Sequence, residues 1–334
     1  LTDVTGVQTC ALPIFIVSPV VSKIEDIPAM IELSSRVFKA DMGLSFPLLF
    51  SEENIQNMTV IREDGRPVTM IGMLPREISI FGHRLKVGLI GAVCTHSDYR
   101  GRDYGRLTLE MSEKLAIEKE ISIFVISGTR GLYSRFGAIT PGGFFKLNVT
   151  SGECCDVREA TEGDIERILG LYRTKPVRYI RDLSEFSRVF STGRVMAKEA
   201  KTYLGEESYI TVIKRNNRPH IVEYGGHEEN VLRTARGYLQ LSGESQAVMT
   251  VDRFFKGNEK TPCGFEGTMK IISIENFLKQ LEGYFRETIK PEGFKALERE
   301  ATKMSAEQFT RFALTEDSIA GLPVPLPDYG FDYI

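Results

Sequence analysis

The feature that most restricts the fold is an apolar strand followed by a loop of small and basic residues and then by a helix. Residues 87–94 are apolar and predict a buried strand, whereas residues 98–106 contain three arginines and two glycines. Apolar side chains then recur at helical spacing, at Leu107, Leu109, Met111, Leu115 and Ile117. Because free backbone amides and the helix dipole favour negative charge at a helix start, this arrangement predicts an anion-binding loop.

Neither of the two common phosphate-binding motifs is present in this loop. The P-loop pattern GxxxxGK[ST] is missing, and the dinucleotide fingerprint requires three glycines in the spacing GxGxxG. A turn of basic residues is otherwise an ordinary solvated surface, so its interpretation depends on the sequence around it.

Composition restricts the class of protein. The chain has 334 residues, with 42 lysines and arginines against 45 aspartates and glutamates, so its formal charge is −3. Hydrophobic residues make up 42%, which is typical of a globular protein of two or three domains. The charge balance argues against a nucleic-acid or membrane partner. Five cysteines without a CxxC or HExxH pattern predict neither a disulfide scaffold nor a metal site.

The N-terminal segment is interpreted separately. Residues 4–14 resemble the translation of a short-read sequencing adapter, so residues 1–14, with Cys10, are interpreted as an artefact; a genuine N-terminus is the alternative. The apolar run over residues 11–21 is shorter than the ~20 residues of a membrane span, and no basic segment precedes it. We therefore expect a cytoplasmic protein in a reducing compartment.

Two similar halves follow along the chain. Strand, turn and helix patterns predict a mixed α/β (α+β) unit at residues 15–152, built on a largely antiparallel sheet that a strand at residues 144–149 completes. The opening of the second half at residues 157–165 repeats the opening at residues 20–27. This repetition indicates an internal duplication, with a second unit at residues 153–266.

A mostly helical extension with a docking tail is predicted over residues 267–334. Apolar periodicity favours helices at residues 274–288 and 294–304, and a third helix that Ser305 caps and that continues to Phe312. Three prolines in residues 322–327 exclude a helix or a central strand there, because proline lacks an amide donor.

The basic loop resembles the pyrophosphate-binding motif of the GNAT superfamily of acyl-coenzyme A-dependent N-acetyltransferases, R/Q-x-x-G-x-G/A. Arg100 matches the first position and Gly105 the last, whereas Asp103 replaces the middle glycine. About thirty residues later, residues 131–138 resemble the tyrosine segment of the same superfamily and contain Tyr133. The resemblance implies a GNAT fold for the first unit.

The duplication and the extension resemble the tandem-domain enhanced-intracellular-survival type of acetyltransferase. Residues 226–230 occupy the loop position of the second unit but lack the Arg-x-x-Gly-x-Gly pattern. The resemblance therefore implies a catalytic GNAT domain at residues 15–152 and a degenerate GNAT-like domain, without a coenzyme site, at residues 153–266. It also allows a homo-oligomer.

The resemblance implies acetyl-CoA as cosubstrate and a primary amine, on a small molecule or a lysine-like group, as acceptor. The amine attacks the thioester directly, a backbone amide of residues 93–95 stabilises the negative oxygen, and Tyr133 protonates the leaving thiolate as general acid. The residues implied to bind the coenzyme are Val93, Cys94, Thr95, Arg100, Gly101, Arg102, Asp103, Tyr104, Gly105 and Arg106. No metal is implied.

The end of the chain supplies a further catalytic candidate. Termini stay disordered unless something holds them, and the last residues are too apolar for a free tail. In acetyltransferases of this type the terminal carboxylate reaches the catalytic cleft, which implies that the Ile334 carboxylate lies near Tyr133 as a base or as an orienter of the amine. The alternative is that the aromatic residues before Ile334 only fill a groove between domains.

Other interpretations stay open at this stage. A motif that departs from the family at Asp103 is also compatible with a non-catalytic module that senses coenzyme A or another ligand. A nucleotide-binding protein using the same loop would bind ATP and coenzyme A with comparable affinity. Covalent acyl transfer through Cys94 is conceivable, although a strand cysteine is more often a small buried hydrophobe.

Overall fold

Apolar and alternating runs in both halves of the chain form strands, and these strands assemble into two mixed sheets. The computed structural model describes residues 17–256, 259–315 and 321–334. The adapter-like segment 4–14 and Cys10 therefore lie outside the described residues.

From residue 17 onward, the described part of the first half forms six strands and four α-helices. The strands are β1 (Val20–Val21), β2 (Thr59–Glu63), β3 (Arg66–Ile80), β4 (His83–Thr95), β5 (Ile123–Ile126) and β6 (Phe144–Thr150). The helices are α1 (Ile27–Phe38), α2 (Met42–Ser45), α3 (Tyr104–Glu118) and α4 (Gly131–Arg135).

The second half contains the remaining strands and helices. The strands are β7 (Arg158–Glu159), β8 (Val177–Tyr179), β9 (Arg194–Val195), β10 (Lys198–Leu204), β11 (Ser208–Arg215), β12 (Arg218–Gly226), β13 (Gln246–Asp252), β14 (Thr261–Cys263) and β15 (Thr268–Ile271). The helices are α5 (Ile165–Tyr172), α6 (Leu183–Phe190), α7 (Glu228–Ser242), α8 (Ile274–Gln280), α9 (Glu282–Ala301) and α10 (Ala306–Thr315).

The two sheets share one plan. In the first sheet the order is β1-β2-β3-β4-β5-β15, with β8 on β3; in the second it is β14-β6-β13-β12-β11-β10-β7, with β9 on β10. Each sheet contains an antiparallel three-strand ladder whose third strand pairs in parallel with the strand after the next helix, β4 with β5 and β12 with β13. The predicted fold class, two mixed α/β units with a mostly helical C-terminal region, is confirmed.

The repeated openings of the two halves have matching local structure. Asp26 and Asp164 each accept a hydrogen bond from a backbone amide three residues earlier, at the start of α1 and α5. Each of the two carboxylates also pairs with an arginine, Arg62 in the first half and Arg158 in the second. Hydrogen bonds from Arg158 and from the Thr161 amide hold the pKa of Asp164 well below its usual value.

The two halves exchange strands, which corrects one sequence prediction. Residues 144–149 were expected to complete the first sheet, but β6 pairs with β13 and β14 in the second. In return, β8 pairs with β3 of the first sheet. Hydrophobic pattern identifies β6 as a strand, but strand pairing between distant segments selects its sheet.

A second correction concerns the start of the C-terminal extension. It was expected to be helical from residue 267, yet β15 pairs antiparallel with β5 at the edge of the first sheet. Helices follow at α8, α9 and α10, and α9 is broken at Lys290, where φ is +64° just before Pro291. Residues 322–327 form neither helix nor strand, as their three prolines predicted.

Packing against the first sheet fixes the position of the site. Helix α3 buries Leu109 and Ala116 completely, in a cluster with the β5 residue Phe124. The helical extension contributes Phe277, Phe285 and Phe309 to a separate core cluster, which also contains first-sheet residues such as Leu89. No helix of the described residues is long and apolar enough to cross a membrane.

We expect the β15 contact to be essential for stability. Met269 of β15 is 0% exposed, whereas Leu241 of α7 is 60% exposed. Met269→Ala should lower the free energy of unfolding by about 2–5 kcal/mol, because it leaves a cavity in the first sheet. The matched surface change Leu241→Ala should stay within about 0.5 kcal/mol. Urea unfolding of both variants measures this, and a mild effect of Met269→Ala would contradict the assignment of β15 to this core.

Candidate functional site

The sequence-predicted anion loop forms the wall of an open cavity at the start of α3. The cavity has a volume of about 320 Å³. Its lining includes seven of the predicted coenzyme residues: Thr95, Arg100, Gly101, Asp103, Tyr104, Gly105 and Arg106. Because the first amides of a helix have no partner within the helix, the first turn of α3 presents free N–H donors to this cavity.

Asp103 precedes α3 in a backbone conformation that favours glycine. Its φ is +64°, in the left-handed region, and its side chain makes no capping hydrogen bond to the helix. The position where the GNAT motif has glycine therefore keeps the glycine-like backbone in this chain. Only the side chain departs from the motif.

The arginines of the loop have different environments. Arg106 pairs with Asp103 at 2.9 Å and with Glu110 at 2.6 Å on the protein surface. Arg102 lies over the Tyr99 ring and does not line the cavity. Arg100 reaches back to the Thr95 carbonyl oxygen, with its Nε donating over 3.4 Å.

Gly105 leaves room for a ligand at the first turn of α3. A Cβ placed there would meet only Leu132 Cδ2, at 3.5 Å, so the free protein has space for a side chain. That space belongs to the cavity, and a branched side chain in it would block the approach of a ligand to the backbone.

A separation between β4 and β5 lies next to the loop. The two strands pair in parallel only as far as Ile90 and Ile126. Beyond that point β4 has a bulge, because Met70 pairs with Cys94 and Gly72 with Gly91, and Ala92 has a φ of +50°. Bulges leave a residue without its ladder partner and re-aim the backbone, so this stretch of β4 is suited to present an amide to a ligand.

A second cavity, of about 220 Å³, lies at this bulge. Its lining includes Ala92 and Val93 of β4, Tyr133 of α4, and Ile334 at the C-terminus. The sequence placed Tyr133 and Ile334 near each other, and the structure brings both to the same cavity. Val93 lines this cavity too, whereas Cys94 is buried behind it and lines neither cavity.

Tyr133 is held in place by the turn between β5 and α4. A Cβ on Gly128, whose φ is +144°, would lie 3.2 Å from the Tyr133 ring, so the ring rests against a position that only glycine suits. The Tyr133 carbonyl accepts a hydrogen bond from the Ala138 amide at 2.9 Å. Burial raises the pKa of the Tyr133 phenol to about 12, although Arg130 opposes that shift.

The chain end lies directly against β4. A Cβ on Gly91 would lie 2.3 Å from a carboxylate oxygen of Ile334 and 2.4 Å from its carboxylate carbon. Only glycine permits such an approach, and Ile334 is 6% exposed. Ile334 is therefore docked, with its main-chain carbonyl group at the bulge of β4.

Cys94 has the chemistry of a buried hydrophobe. Burial raises the pKa of the Cys94 thiol to about 12, which Arg130 and Arg100 oppose only in part. At neutral pH the nucleophilic thiolate of Cys94 is therefore scarce.

Sequence reasoning missed two arginines that the structure places beside the predicted residues. Arg130 lines the cavity of Tyr133, with its Nη1 3.5 Å from the Val93 carbonyl oxygen. Arg135 lines the cavity of the anion loop. Both flank Tyr133 within a few positions, so basic residues beside the tyrosine segment were the signal that could have found them. Among the described residues, no group of three His, Cys, Asp or Glu side chains is placed to hold a metal ion.

Part of the chain that carries this arrangement is similar to a known domain family. Residues 21–139 match the family model described as an acetyltransferase (GNAT) domain. The chain has no match among curated protein sequences.

Three solved structures share the fold over most of the chain. A probable N-acyltransferase from Enterococcus faecalis V583 is 13% identical, with a TM-score of 0.62 over 78% of this chain and 74% of that chain. A GCN5-related N-acetyltransferase from Kribbella flavida is 13% identical, with a TM-score of 0.58 over 78% and 73%. Eis1 from Mycobacterium abscessus is 10% identical, with a TM-score of 0.53 over 78% and 74%. The similarity in fold therefore extends beyond residues 21–139.

We expect Asp103→Gly to tighten coenzyme A binding. The change removes a carboxylate beside the anion site, releases Arg106 from its pair, and suits the backbone at φ +64°. The dissociation constant should fall by about threefold to tenfold, the effect of roughly one unit charge near a surface site. Calorimetric titration measures it.

Asp64→Gly provides the matched control for this change. Asp64 also has a positive φ, +49°, but does not line the cavity. This variant should leave coenzyme A binding unchanged, and equal effects of the two changes would contradict a specific role for Asp103.

Proposed function

We propose that the protein is an acetyl-CoA-dependent N-acetyltransferase that transfers the acetyl group to a primary amine by direct attack on the thioester. The observation that carries the proposal is the cavity at the β4 bulge, which Tyr133 and Ile334 both line. The neighbouring residues Leu132 and Tyr133 line the loop cavity and this cavity respectively, and the match to the model of an acetyltransferase (GNAT) domain supports acyl transfer from acyl-CoA. The loop cavity would receive the coenzyme, and the cavity at the β4 bulge would receive the acceptor.

Each step of the reaction has a proposed residue. Amides of the loop and the first turn of α3, with Arg100 and Arg106, bind the pyrophosphate. A backbone amide of residues 93–95 stabilises the negative oxygen that forms when the amine attacks the carbonyl carbon. The C–S bond then breaks, and Tyr133 donates its proton to the leaving thiolate, which its protonated phenol is suited to do. The Ile334 carboxylate accepts a proton from the amine or orients it.

The walls of the acceptor cavity favour an amine on a narrow apolar arm. Its volume of about 220 Å³ is below the range of about 300–1,000 Å³ that is typical of ligand sites. Its apolar lining includes Phe38, Met42, Phe46 and Met196. A lysine side chain or an alkylamine fits this description, since its methylene groups contact the walls and its amine meets the carboxylate of Ile334.

A non-catalytic coenzyme sensor is the second candidate, and one observation favours it. Asp103 places a carboxylate at the anion site and pairs with Arg106, one of the cations expected to bind phosphate. A site weakened in this way would still bind coenzyme A without being optimised for turnover.

An acceptor screen separates the two candidates. The release of free thiol from acetyl-CoA is followed with alkylamines and lysine peptides, and with their quaternary trimethylammonium analogues as matched controls that cannot attack. Thiol release with primary amines alone supports the transferase. Binding of acetyl-CoA without thiol release supports the sensor, and no binding would contradict both.

Tyr133→Phe tests the general acid. Loss of the hydroxyl should lower kcat by about 100- to 10,000-fold, with coenzyme A affinity and stability nearly unchanged, because only the proton donor is removed. Since the pKa of Tyr133 is raised to about 12, loss of its proton should not lower the wild-type rate below about pH 10. Tyr238→Phe in α7 is the matched control. An unchanged kcat in Tyr133→Phe would leave Tyr133 a packing role only.

A reducing, cytoplasmic setting is also proposed. Cys94, Cys154, Cys155 and Cys263 are all unpaired, which is the usual state of thiols in that compartment.

A further inference from the structure

We infer that Arg181 and Glu223 are positioning residues: through Asp332 and the Phe331 amide they hold the C-terminal tail of the chain so that the Ile334 carboxylate lies at the β4 bulge. The inference rests on the proposed role of that carboxylate. It assigns the second sheet a task in the reaction, because Glu223 belongs to β12.

Arg181 forms a buried double ion pair. Its Nη1 and Nη2 donate to the two carboxylate oxygens of Glu223 at 2.9 and 2.5 Å. Its Nε and Nη2 donate to Oδ2 of Asp332 at 2.8 and 2.6 Å. The Arg181 and Glu223 side chains are 5% and 3% exposed, so water does not compete for these contacts.

Glu223 also binds the tail directly, through a hydrogen bond to its backbone. Its Oε2 accepts a hydrogen bond from the Phe331 amide at 2.9 Å, and its Oε1 accepts one from the Tyr209 hydroxyl at 2.8 Å. A Cβ on Gly330 would lie 2.0 Å from Oε2, so the tail can approach only because residue 330 is glycine. Burial alone would raise the pKa of Glu223, but Arg181 and these donors hold it below its usual value.

The tail enters the second sheet where two strands separate. Strands β12 and β13 pair in parallel only at His220–Val248 and Ile221–Met249. Asp328 and Gly330 lie beyond that pairing, beside the facing residues of both strands. The first sheet has the equivalent separation between β4 and β5. In the second sheet, Asp328 and Gly330 of the tail lie at the separation between β12 and β13.

The contacts of Asp332 also restrict the position of the Ile334 carboxylate. Asp332 lies two residues before Ile334, and the Asp332 amide donates to the Tyr329 carbonyl at 2.8 Å in a single tight turn. Arg76 of β3 approaches the other oxygen of Asp332 at 3.8 Å, which ties the same residue to the first sheet. Between Asp332 and the carboxylate only Tyr333 remains, and burial raises the pKa of its phenol. Because only one residue separates them, fixing Asp332 leaves Ile334 little freedom to move.

The test removes one charge from the network in the full-length chain. Asp332→Asn and Glu223→Gln each keep the shape of the side chain but weaken the pair with Arg181. Two readouts are taken: the rate at which a carboxypeptidase releases Ile334, and kcat alongside the dissociation constant of acetyl-CoA. The first readout does not depend on turnover.

Asp328→Asn is the matched control. Asp328 is another buried carboxyl of the tail, but it makes no pair with Arg181, and its pKa is raised to about 6 by burial. Replacing it with a neutral amide should leave both readouts unchanged. Asp332→Asn serves as the safeguard if Glu223→Gln fails to fold, because Asp332 belongs to the tail and not to a sheet.

In both network variants, Ile334 should be released at least about tenfold faster and kcat should fall at least about tenfold, with the acetyl-CoA affinity nearly unchanged. Both readouts are taken well below the melting temperature of each variant, which should fall because the buried Arg181 loses a charged partner. Unchanged release would overturn the inference, and so would faster release with unchanged kcat. If the wild-type protein binds acetyl-CoA but turns over no amine, the proposed function fails, and the release assay still decides whether the network holds the tail.

Discussion

The position of the C-terminal tail depends above all on the buried ion pairs of the Arg181 guanidinium. Moving a charge out of water costs several kcal/mol, and a buried ion pair is tolerated only when its remaining donors and acceptors are satisfied. Here Glu223 and Asp332 supply two carboxylates, and the ring of Tyr172 lies 3.8 Å from the guanidinium carbon. Because Arg181 follows β8, which pairs with β3, one side chain connects the first sheet, the second sheet and the chain end.

Strand exchange links the two sheets. Strand β6 leaves the first half for the second sheet, while β8 and β15 come from the second half and the extension to the first. The first sheet is therefore not built from a single continuous segment. The tail also contacts both sheets. It passes the separated strands β12 and β13 of the second sheet, and its residue Ile334 lies against Gly91 of the first sheet.

Local patterns in the sequence predicted the local parts of the site. The strand, the basic loop and the start of α3 depend on neighbouring residues, and even the departure at Asp103 keeps the positive φ of the glycine it replaces. The apolar tail predicted a docked C-terminus. These features could be predicted because propensity, turn chemistry and hydrophobic period act over short distances.

Features that depend on distant pairing could not be predicted in this way. Nothing local in residues 144–149 or 268–271 indicates which sheet receives the strand, because a strand edge accepts any partner of suitable register. The same holds for Arg181, Glu223 and Asp332. Each is an ordinary charged residue in the sequence, and only the fold brings the three together out of water.

The central claim is that the Ile334 carboxylate acts in the transfer reaction, and replacing that one group tests it most directly. Expressed-protein ligation can supply the full chain with a C-terminal carboxamide, which has the same shape but no charge and no proton-accepting carboxylate. The account predicts that kcat with a primary alkylamine falls by about 100-fold or more while the dissociation constant of acetyl-CoA is unchanged. Equal kcat values for the carboxylate and the carboxamide proteins would contradict it.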